Sequence, residues 1–121
     1  MSRPTGRWGV LLAVAEERQQ QDAKWGQQDH RDGCPRLLDR EGGCSPQQLA
    51  YDLEIPTAGR ARLLCQIAFA RGQGHWSAIL QEEVSEAVAA IGDDAALRRE
   101  LVQVAAVAVA WIEAIDRRGG R

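Results

Sequence analysis

From Trp76 to Asp116 the chain leaves little choice of fold. The stretch WSAILQEEVSEAVAAIGDDAALRRELVQVAAVAVAWIEAID holds two runs of helical periodicity separated by one tight polar break. In the first run Ile79, Leu80, Val84, Ala87, Val88 and Ile91 recur at helical spacing, and in the second Leu97, Leu101, Val104, Ala108, Trp111 and Ile115 do the same. Between them Gly92-Asp93-Asp94 supplies a helix stop, two polar turn residues and an N-cap for the second helix. An antiparallel helix hairpin follows, and it forms the long centre of the expected fold.

The composition agrees with an all-α class. Strand formers are scarce outside the helical runs: two Thr, one Tyr, one Phe, and eight Val that all fall in apolar helical stretches. At 121 residues the chain is expected to be one all-α domain, an antiparallel bundle of about four helices with a modest core. A net charge of −2 leaves no electrostatic footprint for nucleic acid. No apolar run approaches the roughly 18 residues that a membrane crossing needs. Val10 to Ala15 is apolar behind Arg3 and Arg7, but it is short for a signal peptide and runs into EERQQQD without a cleavage site, so a cytoplasmic location is expected. The three cysteines, Cys34, Cys44 and Cys65, are then expected as free thiols.

Folding the chain back at the break sets residues whose numbers sum to about 186 side by side. Glu83 then faces Gln103, and Glu86 faces Glu100. At 100° per residue Glu83 lies about 60° from the centre of the first apolar stripe and Glu86 about 120°, and Glu100 and Gln103 take the same offsets on the second. All four sit on the shoulder of a buried face. Three carboxylates and an amide converge there, and the three like charges repel one another unless a cation lies between them. Hard oxygen donors from two helices suit Mg²⁺ or Mn²⁺ better than zinc. The bland alternative is a solvated helix face, with Arg98 and Arg99 pairing with the acids. A second Glu-x-x-Asp match, Glu113 to Asp116, projects 100° or more from the apolar stripe, on the roughly 3.6-residue period of a helix, and is set aside.

Glu83-x-x-Glu86, thirteen residues, then Glu100-x-x-Gln103, with the doubled acid Glu82-Glu83, resembles the MazG-like all-α nucleotide pyrophosphohydrolases. The leader EERQQQDAKWGQQDH, Glu16 to His30, is similar to that of the small phage and actinobacterial members. The resemblance covers about half the chain. It implies Mg²⁺-dependent cleavage of a nucleoside triphosphate, ribo or deoxy, to the monophosphate and pyrophosphate. It further implies metal ligands at Glu83, Glu86, Glu100 and Gln103, and a proton acceptor at Glu82 or Glu83. Lys24, Arg98 or Arg99 would meet the pyrophosphate, Trp25 would stack on a base, and Lys24 or His30 would meet phosphate. Trp25 capping the core and a solvated His30 remain the plainer alternatives. Gln103 departs from the family pattern, which has Asp there; a carbonyl oxygen can ligate but brings no charge. A non-catalytic module that binds nucleotide or a partner protein is therefore the rival expectation. Val102, Ala105, Ala106, Val109 and Ile112 widen the apolar surface of the last helix, which, with the family's habit, implies a homodimer or homotetramer.

Upstream, a first helix is expected over 7–24, phased by Trp8, Leu11, Leu12, Ala15 and Glu16. Residues 25–56 are expected to be loop-rich, with a short helix near Gln47 to Asp52 behind the Ser45-Pro46 cap signal. His30, Cys34 and Cys44 could be imagined as zinc ligands, but no CxxC pair or fourth ligand accompanies them. Residues 57–118 form the expected helical core. There Thr57 caps a helix reaching about Arg71, with Ala61, Leu64, Cys65, Ala68 and Phe69 turned inward and Arg60, Arg62 and Arg71 flanking it.

Overall fold

The computed structural model describes residues 4–33 and 45–119. Those residues are all-α: five helices and no strand. They are α1 (Gly6–Trp25), α2 (Pro46–Leu53), α3 (Ala58–Ala70), α4 (Trp76–Ala89) and α5 (Asp94–Gly119). None of them is long and apolar enough to cross a membrane.

Local chemistry sets the boundaries. Ser45 Oγ accepts from the Gln48 amide at 3.1 Å, with Pro46 at the first helical position, where its missing N–H costs nothing. Thr57 Oγ1 accepts from the Arg60 amide at 3.4 Å, and Asp93 Oδ1 from the Ala96 amide at 3.1 Å. His75 caps α4 through its ring: Nδ1 accepts from the Ala78 amide at 3.1 Å and lies 2.8 Å from Ser77 Oγ. α2 ends on Glu54, held in the left-handed region at φ 57°, while Ile55 N donates to Ala50 O at 3.0 Å. Glycine is the usual residue for that conformation.

The chain divides into two compact units, and α5 runs through both. One holds α1 and α5 from Ala108 onward. In it Val10 is buried, and the Arg7 guanidinium lies 3.6 Å from the Glu113 carboxylate. Trp8, expected to set the inward phase of α1, is instead 73% exposed; the buried turn is centred on Val10. The other unit holds α2, α3, α4 and α5 up to Val107. There α4 is central and packs against α3 and α2. Every residue from Ala78 to Val88 is buried or half-buried.

Small side chains let α3 and α4 approach closely. Ala61 and Cys65 on α3 and Ser85 and Ala87 on α4 are all buried. Ser85 is the most enclosed, and its Oγ donates to the Pro56 carbonyl at 2.8 Å while accepting from Gln81 Nε2 at 3.1 Å. A buried hydroxyl with both bonding modes used tethers the middle of α4 to the α2–α3 connection. This packing turns the larger residues of α3 outward. Leu64 and Phe69, expected inside, are exposed along with Leu63 and Ile67. On α5 the expected stripe holds in part: Leu97, Val104, Ala108 and Trp111 are half-buried, whereas Leu101 and Ile115 are exposed.

Candidate metal centre

The acids expected to converge do so in part. Glu83 and Glu86 lie one turn apart on α4, on one side of the helix. The connection to α5 is a short run of turn bonds: Ile91 N to Val88 O at 3.3 Å and Asp93 N to Ala90 O at 3.1 Å. Gly92 at φ 109° makes the reversal, a conformation that a side chain would strain. The Asp93 cap then starts α5 in the register that brings Glu100 to Glu83 and Glu86. One carboxylate oxygen from each of the three lies within 4.8 Å of the others.

These carboxylates are half-buried and poorly compensated. Among the described residues, Oε2 of Glu83 and Oε2 of Glu100 are buried with no hydrogen-bond partner. A buried carboxylate oxygen without a partner bears its desolvation penalty uncompensated. Burial first, and then the charges of Glu86, Glu100 and Glu82, push the Glu83 carboxyl above its ordinary value. Glu86 has a counter-charge: Arg62 Nη2 on α3 lies 3.2 Å from its Oε1.

The remaining expected site residues fall elsewhere. Glu82 turns to α3, where it accepts a hydrogen bond from the buried Cys65 thiol. Burial, that bond and the charges of Glu82 and Glu83 all push the thiol up, so Cys65 is an unreactive core thiol. Gln103 is exposed, one turn beyond Glu100, as are Arg98 and Arg99. Lys24, Trp25 and His30 belong to the other unit and are exposed. There the Lys24 ammonium sits 4.7 Å from the Trp25 ring centroid, a cation–π contact. Both line an open depression of about 380 Å³ with Glu17, Gln20, Gln21 and Gln28. Of the residues considered for zinc, Cys34 and Cys44 lie outside the described residues, as does most of the 25–56 loop's centre. Arg62 was expected only as a flanking cation; its place at the cluster depends on the α3–α4 crossing, which leaves no mark on the local sequence.

No family model, curated protein or solved structure matches this chain.

Proposed function

We propose that the chain is a divalent-cation-dependent nucleotide pyrophosphohydrolase of MazG-like type, splitting a nucleoside triphosphate into monophosphate and pyrophosphate. The observation that carries the cation site is the pair of buried, unpartnered oxygens, Glu83 Oε2 and Glu100 Oε2, within a cluster that also includes Glu86. A set of oxygen donors left unsatisfied by the protein itself fits a hard divalent cation, Mg²⁺ or Mn²⁺. Glu83, Glu86 and Glu100 would hold it; Gln103, being exposed, is the weakest of the expected ligands. Such a cation supplies charge neutralisation at phosphate oxygens and acidifies bound water. Glu82 or Glu83, whichever is not fully engaged by the cation, would take the proton of the attacking water. Lys24, Trp25, His30, Arg98 and Arg99 stay as substrate-binding proposals, from the chemistry of their side chains.

Exposed Leu63, Leu64 and Ile67 on α3 and Leu101 and Val102 on α5 support the companion proposal of a homodimer or homotetramer. A single monomeric species in sedimentation would overturn it.

A second possibility is a nucleotide-binding module without hydrolysis, and Gln103 in place of an acid favours it. The deciding experiment measures pyrophosphate release from ribo- and deoxynucleoside triphosphates with Mg²⁺, with Mn²⁺ and with chelator. Metal-dependent release that falls about 100-fold or more in Glu86→Gln is expected of the enzyme. Silence across the panel in a folded sample that still binds Mn²⁺ would leave the binding module.

A further inference from the structure

The cluster contains a cation of its own. Arg62 reaches from α3 to α4 and sets its Nη2 3.2 Å from Glu86 Oε1. Among the described residues it is the one basic side chain paired with any of the three acids. The two partners are unequally enclosed: the Arg62 side chain is 53% exposed, the Glu86 side chain 20%. Glu86 is therefore anchored in the packed face, while the guanidinium can leave it for water without disturbing the core.

We infer that Arg62 is the resident counter-ion of the carboxylate cluster and competes with the divalent cation for the charge of Glu86. It acts through Glu86. The inference rests on the proposed cation site. The physical reason is reciprocal coupling: two positive groups drawn to one carboxylate repel each other, so each weakens the other's hold by the same factor. In the cation-free protein Arg62 offsets repulsion between Glu86 and its neighbours. When a cation enters, that task passes to it.

The test titrates Mn²⁺ into the wild-type chain, Arg62→Lys and Arg62→Gln by calorimetry, at low and at high salt, with melting curves for each with and without Mn²⁺. Arg62→Gln should bind Mn²⁺ about three- to tenfold more tightly than wild type at low salt, with the gap shrinking as salt screens the charge. Arg62→Lys, which keeps the charge, should stay near wild type. Without metal Arg62→Gln should melt below wild type, and saturating Mn²⁺ should narrow the difference. Weaker Mn²⁺ binding by Arg62→Gln would mean that Arg62 orients Glu86 for the cation and would overturn competition. An unchanged affinity would overturn it too, leaving a surface ion pair. Failure of wild type itself to take up Mn²⁺ would overturn the cation site first, and competition with it.

Discussion

Glu83 and Glu100 stand on different helices, yet each leaves the same atom, Oε2, buried and without a hydrogen-bond partner among the described residues. One of their ligand oxygens each lies within 4.8 Å of the other and of Glu86. Two like charges brought together by tertiary packing oppose the fold in the absence of a cation, and this has a measurable consequence.

Replacing Glu83 by Gln should stabilise the metal-free protein at neutral pH by about 0.5–1 kcal/mol while removing cation binding. The pH dependence has a definite sign. The folded-state value of Glu83 is raised above its ordinary one, so the native state binds the proton more strongly than the unfolded chain does. Stability from this group therefore falls as pH rises from the ordinary glutamate value through the raised one. Melting temperatures across the acidic range should show that decline in wild type and a flatter profile in Glu83→Gln. A steeper loss in the variant would contradict the repulsion.

Ser85 should be intolerant of change. Ser85→Ala removes the hydrogen bond to the Pro56 carbonyl in a buried position, at a cost of about 1–2 kcal/mol in urea unfolding. Ser85→Leu should cost more, because it loses the same bond and forces a larger side chain into a position only 2% exposed. A neutral Ser85→Leu would show that the two helices can separate freely.

At the start of α4, His75→Ala should cost about 1 kcal/mol by removing the ring acceptor from the Ala78 amide, whereas His75→Asn should retain most of the stability. Equal losses in both variants, by thermal or urea unfolding, would mean that the imidazole acts through packing and not as a cap.

Glu54 offers a gain. It holds φ 57° at the end of α2, so Glu54→Gly should raise stability by roughly 0.5–1 kcal/mol. Destabilisation instead would point to a contact of the Glu54 side chain outweighing backbone strain.

The helices and their ends were legible in the sequence because their causes are local. Ser45-Pro46, Thr57 and Asp93 cap as expected, and Gly92 makes the turn, since each acts on an amide or a dihedral within a few residues. Of the four side chains expected to converge across the break, Glu83, Glu86 and Glu100 come within 4.8 Å of one another, whereas Gln103, expected opposite Glu83, is exposed. Facing was a different matter. Hydrophobicity alone turned Leu64, Phe69 and Leu101 inward, but close helix approach selects small residues, and Ala61, Cys65 and Ser85 took the buried positions. Once α3 and α4 crossed there, the distant partners followed: Arg62 met Glu86, Cys65 met Glu82, and Ser85 met Pro56. The sequence by itself determined where helices begin and end and which acids share a hairpin. Only the tertiary structure decided which faces are buried and which charges are neutralised, because those depend on volumes and distances between segments far apart in the chain.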